Sequence, residues 1–248
     1  MSSPILRVIN PAGGLVLSSR ASFGLNYIGQ ATPISLTQPT GNATLFTGRR
    51  AGSSTYRITS VNRPVPFYKL MMGHTICVNS VDNVGGNTWD INVFCGNTGS
   101  LDSDGFETQA YTTIYCFAVP TGHSGVGLRL NDDAGNLRWS VTDTSGRLLF
   151  LKGSFSLAGT AGELDGDFSI PSLAVPALLG TPSSRRQNSL PAGSLFDNRD
   201  LRFGFQQVSG AVVRQANYFQ RKWRNDGDVT NINSPAPLDV MVIDASGL

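Results

Sequence analysis

The sequence is short of the residues that usually cover the outside of soluble helices. Charged side chains make up 15% of its 248 residues, glutamate occurs twice and lysine occurs three times. Ordinary soluble domains carry about 25% charged residues, and Glu and Lys are the usual residues of exposed helix positions. Their scarcity argues against a helical protein and favours a surface that other protein covers.

Further absences exclude several classes of protein. Three cysteines, an odd number, do not suggest a disulfide framework. No stretch approaches the roughly 18–20 apolar residues of a membrane span, and residues 1–14 lack the charged start and apolar run of a signal peptide. Neither a P-loop nor a dinucleotide-binding glycine motif is present. We expect no cofactor and no membrane span, and a chain that stays in the cytosol until it is assembled or released.

A repeated turn motif is the main positive feature. The pattern of Asn or Asp, any one residue, Ala or Ser, and then Gly recurs in residues 7–15 (RVINPAGGL), 129–137 (RLNDDAGNL), 140–148 (SVTDTSGRL) and 241–248 (MVIDASGL). The Asn or Asp side chain can cap its own turn, and Gly supplies the left-handed residue that ends it. A turn of this kind joins two antiparallel strands. The motif predicts a chain built from β-hairpins.

Strand-like runs rich in Thr, Val, Ile, Tyr and Phe lie between these turns. We therefore predict an all-β fold, an antiparallel β-sandwich of hairpins and meanders. Its best-supported parts are a hairpin turn at 85–87 and a three-stranded meander at 126–152. The predicted strands cover residues 5–9, 15–18, 22–28, 44–46, 55–61, 67–72, 75–79, 88–94, 110–119, 127–130, 137–141 and 148–151.

The chain divides by composition into a β-sandwich body (1–167), a proline-rich arm or long loop (168–196) and a segment that completes the body (197–248). Four prolines in the arm predict the absence of a central strand and of a long helix. Its apolar residues over 170–179 should lie against the body or a neighbouring subunit, with 183–188 as an exposed tip.

The last segment reads as a long hairpin followed by a final strand. The hairpin strands are predicted at 201–208 and 211–223, with a helix over 211–224 as the alternative, because neither face of the second strand is cleanly apolar. The final strand, 237–243, is expected to tie the C-terminus into the sheet.

Charge is unevenly spread along the chain. Residues 1–81 hold seven basic residues and no acid, whereas residues 82–167 hold eleven acids and four bases. The two segments could complement each other within one fold or between neighbouring copies. Nucleic-acid binding is disfavoured, because the arginines are scattered and not clustered along one helix.

Two arrangements could carry catalysis or a metal, and both have simpler interpretations. His123 and Ser124 lack the strand–turn–helix elbow of a serine hydrolase, so a loop histidine is the better interpretation. His74 and Cys77 could form a zinc site with Cys95 and Cys116, but zinc sites usually show two tight pairs. Buried cysteines that behave as small hydrophobic residues are favoured.

Acidic and aromatic side chains give the remaining candidates. Asp102, Asp104 and Glu107 could form a glycosidase pair or a Ca²⁺ loop, but an acidic surface loop is the favoured interpretation, as it is for residues 165–167. Aromatic residues could stack on sugars, although core or interface anchors are more common: these are Trp89, Phe106, Tyr111, Trp139 and Trp223. We predict no catalytic, cofactor-binding or metal-binding residue.

Both ends of the chain and the 126–152 region resemble small β-rich tail-tip proteins of long-tailed bacteriophages. The resemblance rests on the opening strand, turn and strand of residues 6–19 (LRVINPAGGLVLSS) and on the closing VIDASG of residues 242–247. It implies a non-enzymatic structural subunit of the virion tail, assembled in the host cytoplasm. The implied partners are other tail proteins, further copies of the chain and, in some roles, a host glycan or receptor. A carbohydrate- or receptor-binding β-sandwich module is the alternative, and a glycan hydrolase is a more distant one.

Overall fold

The chain folds as an antiparallel β-sandwich. A computed structural model describes residues 7–9, 15–18, 25–41, 48–102, 105–121, 127–131, 135, 137–142, 151–157, 167–179, 185–192, 195–225 and 238–248. Within these residues the regular structure is entirely β-strand, arranged in a ten-stranded sheet, a six-stranded sheet and two separate hairpins. The predicted fold class is confirmed.

The ten-stranded sheet has the order β15-β19-β18-β8-β9-β6-β4, with β10 beside β9, β17 beside β18 and β5 beside β19. Its strands are β4 (Thr32–Thr37), β5 (Arg49–Arg50), β6 (Ser53–Thr59), β8 (His74–Gly85), β9 (Thr88–Leu101), β10 (Glu107–Gln109), β15 (Asp167–Ser169), β17 (Arg185–Ala192), β18 (Leu195–Ser209) and β19 (Val212–Asn225).

The six-stranded sheet has the order β14-β20-β16-β7-β11-β3, and the hairpins are β1-β2 and β12-β13. These strands are β1 (Arg7–Ile9), β2 (Leu15–Ser18), β3 (Asn26–Gln30), β7 (Val65–Lys69), β11 (Ile114–Ala118), β12 (Gly127–Asn131), β13 (Leu137–Thr142), β14 (Leu151–Leu157), β16 (Pro176–Leu179) and β20 (Leu238–Asp244).

The main core lies between the two large sheets. Because side chains alternate along a strand, every second residue of each central strand enters it. The ten-stranded sheet contributes Ile91, Val93 and Cys95 from β9, and the six-stranded sheet contributes Val240 and Val242 from β20, all of them buried. Burial of this apolar area, at roughly 25 cal/mol per Å², is the main favourable term for the fold.

The six-stranded sheet is buried on both faces. In β11, Ile114 and Cys116 enter the main core, whereas Tyr115 and Phe117 enter a second apolar cluster on the opposite face. Phe67 of β7 contacts Phe117 edge to face in that cluster, with ring centroids 5.4 Å apart. A sheet covered on both faces needs continuous apolar strands, and β11 (IYCFA) is one.

The ten-stranded sheet rolls around a small cluster on its other face. β5 and β6 are five strand spacings apart in the sheet order, roughly 24 Å if the sheet were flat. Only Ala51 and Gly52 separate the two strands, and three residue steps span at most about 11 Å. The sheet therefore curls, and Ala51 packs against a buried cluster of Cys77, Phe94 and Tyr218.

Two occurrences of the turn motif lie between paired strands, and the occurrence at 140–148 lies largely outside the described residues. β1 pairs with β2, and β12 pairs with β13. Gly135 and Gly247 have the predicted left-handed conformation, with φ of 82° and 79°. At the C-terminal motif Asp244 Oδ1 accepts the backbone N–H of Ser246 at 3.0 Å, the predicted Asx turn. The turn predicted at 85–87 is also present, between β8 and β9.

Two predictions about strand pairing have different outcomes. In the three-stranded meander predicted at 126–152, β12 and β13 pair as expected. Most of its third strand, 148–151, lies outside the described residues, and Leu151 pairs with Ile243 of β20. The predicted absence of a central strand from the proline-rich arm is wrong, since β16 lies between β20 and β7. Pro176 is the first residue of β16, a position where its missing N–H is tolerated.

Other described segments of the predicted arm also belong to the sheets. β15 and β17 fall within or beside residues 168–196 and pair with β19 and β18. Ile170 and Leu178 are buried in the main core, so the apolar part lies against the body, as expected. Part of the predicted tip at 183–188 lies outside the described residues, and Arg185–Asn188 belongs to β17.

The C-terminal hairpin is confirmed, and the alternative helix over 211–224 is wrong. β18 and β19 pair along their length, with register shifts near Asp200 and Ser209. The long pairing explains why neither face of β19 is cleanly apolar: Val213 enters the main core, whereas Tyr218 enters the cluster on the other face. β20 ties the C-terminus into the six-stranded sheet between β14 and β16, as predicted.

Candidate functional site

One continuous segment, residues 26–37, forms an open edge of both large sheets. β3 ends the six-stranded sheet and β4 ends the ten-stranded sheet. The two strands are joined by Ala31, which is buried and donates its N–H to the carbonyl of Ile114 at 2.9 Å. The chain thus crosses from one sheet to the other at this side, which we call the open edge.

The open edge exposes apolar side chains. All six residues of β4 are exposed, and Ile34 and Leu36 expose 45% and 37% of their surface. Ile28 of β3 is 36% exposed. Among the described strands, β4 pairs only with β6 and β3 pairs only with β11. Among the described strands each of them therefore ends its sheet, beside apolar side chains.

Charge does not protect this edge. Residues 21–48 contain no Asp, Glu, Lys, Arg or His, whereas natural proteins commonly place charges on exposed edge strands to prevent strand addition. Two other features limit where another strand could pair with β4. Pro33 lacks an N–H, and the register shifts between Pro33 and Ser35. Ser35–Thr37 is the regular part of β4 and the stretch best able to accept another strand.

A network of glutamines anchors the end of the open edge. Gln38 accepts the N–H of Gln109 at 2.8 Å through Oε1 and donates Nε2 to the carbonyl of Gln109 at 3.1 Å. Gln109 in turn accepts the N–H of Cys95 at 3.1 Å. A Cβ at Gly52 would collide with the Thr37 carbonyl, so only glycine allows this close approach. The edge is thus held on a rigid body.

The first acidic candidate, Asp102, makes structural contacts through both of its carboxylate oxygens. Its Oδ1 accepts the N–H of Phe106 at 3.0 Å, and its Oδ2 accepts Nη2 of Arg49 at 2.6 Å. Gly105 closes the turn with φ of 83°. Asp104 lies outside the described residues. Asp102 therefore caps a turn and pairs with Arg49.

The interpretation of Glu107 as part of an acidic surface loop is wrong. Glu107 is 9% exposed, and its Oε2 has no hydrogen-bond partner. A Cβ at Gly96 on the paired strand β9 would collide with that oxygen. Burial raises the pKa of the Glu107 carboxyl to about 7, because a charged carboxylate is costly away from water.

The four residues of the possible zinc site are not brought together. Cys77 and Cys95 enter clusters on opposite faces of the ten-stranded sheet, and Cys116 lies in the other sheet. In the described part of the chain no group of three or more His, Cys, Asp or Glu residues could hold a metal. Burial raises the pKa of the Cys95 and Cys116 thiols to about 12. All three cysteines are buried free thiols, as the favoured interpretation held.

The aromatic candidates are mainly structural where the structure describes them. Phe106 is buried, and Trp89 donates its indole N–H to the Ser60 carbonyl at 2.8 Å. Tyr111 is 42% exposed and meets the Tyr56 ring edge to face. Trp223 is half-buried and carries the Arg221 guanidinium 4.6 Å from its ring centroid. The side chains of Trp139 and His123 lie outside the described residues, as does the Asp165–Gly166 pair.

The sequence prediction missed the open edge. Its signal was present as an uncharged run of 28 residues, 21–48. That run could not be assigned to an edge, because only the pairing of β3 with β11 and of β4 with β6 shows that both strands are terminal.

Comparison of the chain with protein-family models, with curated proteins and with solved structures finds no match. Among the described residues there is also no helix with the length and apolarity that a membrane crossing requires.

Proposed function

We propose that this protein is a non-catalytic structural subunit of a bacteriophage tail tip, which assembles with other tail proteins through its sheet edges. The observation that carries the assembly role is the open edge: an uncharged segment with exposed Ile28, Ile34 and Leu36 on the rim of both sheets. Strand addition at such an edge gives affinity through backbone hydrogen bonds and specificity through alternate side chains.

Two further observations support a structural role. The described acidic candidates are occupied or buried, since Asp102 pairs with Arg49 and Glu107 is enclosed against β9. The attachment of the open edge to the ten-stranded sheet also suits a scaffold. The hydrogen bonds between Gln38 and Gln109 and the close approach at Gly52 hold the end of β4 against that sheet. The assignment to the tail itself rests on the resemblance of the two chain ends to tail-tip proteins.

The assembly role is tested by placing a charge on the edge. Leu36→Lys should reduce self-association, or binding to other virion proteins, more than tenfold, because a lysine there opposes strand addition. Val84→Lys is the matched control, since Val84 is 50% exposed near the β8–β9 turn and away from the edge. Sedimentation velocity of the purified variants measures self-association. Equal behaviour of the two variants would contradict the role of the edge.

The tail assignment needs a separate experiment. Mass spectrometry of virions purified from cells that encode this chain should detect it in a fixed number of copies per particle. A strict monomer that is absent from virions and binds no virion protein would overturn the assignment.

A further inference from the structure

A buried acid and the open edge are joined by a short series of hydrogen bonds. The backbone carbonyl of Glu107 accepts Nε2 of Gln109 at 3.1 Å. The backbone of Gln109 is in turn held by Gln38, which accepts its N–H at 2.8 Å and donates to its carbonyl at 3.1 Å. Gln38 directly follows β4. One side chain therefore connects β10 to the end of the open edge.

The carboxyl group of Glu107 lies in an enclosed site beside an aromatic ring. A Cβ at Gly96 would collide with Glu107 Oε2 and with the ring of Phe94, so the carboxyl fills the space above that glycine. Glu107 is 9% exposed, and its Oε2 has no hydrogen-bond partner. A charge on such a group is costly, and the protonated form is favoured in its place.

Glu107 makes no ion pair within the described part of the chain. Cys95 of β9 is the titratable group that interacts with it, and burial keeps that thiol protonated, with a pKa of about 12. Arg49 of β5 lies 5.0 Å from the centroid of the Phe106 ring, but it pairs with Asp102 at 2.6 Å. Burial alone therefore raises the pKa of the Glu107 carboxyl to about 7.

β10 is the element that a charge on Glu107 would release. It has three residues, its register on β9 shifts between Glu107 and Thr108, and it pairs with no other described strand. Elements with few contacts open locally at a lower free energy than the central strands of a sheet. Opening of β10 brings the carboxyl to water and breaks both hydrogen bonds between Gln109 and Gln38.

We propose that Glu107 is a pH-sensitive switch that controls how firmly the end of the open edge is held. When the carboxyl is protonated, β10 stays on β9 and Gln38 stays bound to it. In the opened form the carboxyl ionises at its ordinary pKa of 4.5, so opening becomes easier as pH rises from 4.5 to about 7. The consequence for assembly rests on the proposed function, whereas the coupling of β10 to β4 does not.

Amide hydrogen exchange, followed residue by residue by NMR between pH 5 and pH 8, tests the proposal. The Ala110 N–H, donated to the Cys95 carbonyl at 2.9 Å, reports on β10, and the Thr40 N–H, donated to the Arg50 carbonyl at 3.3 Å, reports on the end of β4. After correction for the chemical exchange rate, both opening constants should rise at least tenfold over this range. Complete exposure of Glu107 on opening would give a rise of about 70-fold.

Two variants separate the switch from the hydrogen bonds that transmit it. Glu107→Gln removes the titration, so the opening constants of both amides should agree within threefold between pH 5 and pH 8. Asp82→Asn changes an exposed carboxyl on β8, and this matched control should keep the wild-type rise. Gln38→Ala removes the connection to β4, so Ala110 should keep its pH dependence, whereas Thr40 should open readily at every pH.

Four results would overturn the proposal. They are a wild-type Ala110 opening that does not change with pH, an unchanged rise in Glu107→Gln, a pH dependence of Thr40 that survives in Gln38→Ala, and exchange of Ala110 at the rate of Val242 in the core. The last result would show that β10 opens only when the whole chain unfolds.

If Glu107→Gln fails to fold by circular dichroism, Gln38→Ala decides the test, because Gln38 is exposed. Exchange is measured on the chain by itself and needs no partner. A negative result therefore overturns the switch and leaves the Leu36→Lys test of assembly untouched, and failure of the assembly test leaves the exchange result intact.

Discussion

β11 and β4 are strands of similar length that differ completely in burial. All five residues of β11 are buried, and all six residues of β4 are exposed. Ile114 in β11 has no exposed surface, whereas Ile34 in β4 exposes 45% of its surface. Both strands lack charged residues.

The difference comes from position in the sheets. β11 has β7 and β3 on its two sides and an apolar cluster on each face. β4 has only β6 beside it among the described strands. An uncharged strand inside a sheet contributes to the core, whereas the same kind of strand at the rim leaves its apolar surface and backbone groups for a partner.

The largest expected effect lies in β11. Ile114→Ala should lower the free energy of unfolding by about 2–5 kcal/mol, because the lost methyl groups leave a cavity in a rigid core. Urea denaturation should show a lower midpoint with an unchanged slope. A loss below about 1 kcal/mol would show that the site collapses around the smaller residue and that β11 is not the tightly packed strand of the pair.

The next largest effect concerns Glu107 of β10, a buried acid beside β9. Its pKa is raised from 4.5 to about 7 by burial, so the folded chain keeps a proton that the unfolded chain releases between these values. Stability should therefore fall as pH rises through that window, by about 3 kcal/mol at most. Thermal unfolding across pH 4–8 measures the decline.

Glu107→Gln should flatten this pH dependence and raise the melting temperature at pH 8, because no charge is then buried. Asp82→Asn changes an exposed carboxyl on β8 and should leave the decline in place. If the stability of the wild type rises between pH 5 and pH 7, and that of Glu107→Gln rises equally, the raised pKa of Glu107 is contradicted.

A smaller effect is expected in the cluster on the rolled face of the ten-stranded sheet. The Tyr218 hydroxyl donates to Asn79 Oδ1 at 3.0 Å, and its ring stacks on Phe94 with centroids 3.6 Å apart. Tyr218→Phe keeps the stack and removes that hydrogen bond, so the free energy of unfolding should fall by about 0.5–1.5 kcal/mol. If combining it with Asn79→Ala gives the full sum of the two single effects, the two groups are not coupled.

The smallest effect on stability is expected at the open edge. Ile34→Ala should change the free energy of unfolding by less than about 0.5 kcal/mol, because the side chain is exposed. It makes the same chemical change as Ile114→Ala and is its direct counterpart. Self-association measured by sedimentation should weaken, since the edge loses apolar area. A stability loss equal to that of Ile114→Ala would remove the contrast between the two strands.

Local chemistry made the hairpins predictable. Asp244 caps the C-terminal turn and Gly135 adopts the left-handed conformation as expected, because an Asx side chain and a glycine act on the few residues beside them. The long β18–β19 hairpin was predictable for the same reason, since its turn and both strands are adjacent in the sequence.

Pairing between distant segments could not be predicted. Leu151 pairs with Ile243, and Arg50 pairs with Arg221. Nothing in the sequence around either residue specifies a partner so far along the chain. Most of the predicted third strand of the meander, 148–151, lies outside the described residues, and the pairing of Leu151 with β20 was not predicted for this reason.

Composition and turn chemistry by themselves determined that this protein is an antiparallel β-protein with few charges, because scarce Glu and Lys and repeated Asx–Gly turns leave little other choice. Only the tertiary structure decided which strands became core and which became rim, since burial depends on what lies beside a strand. It buried Glu107, exposed Ile34 and placed Arg50 against Arg221. These outcomes follow from strand order and register, which a local pattern does not contain.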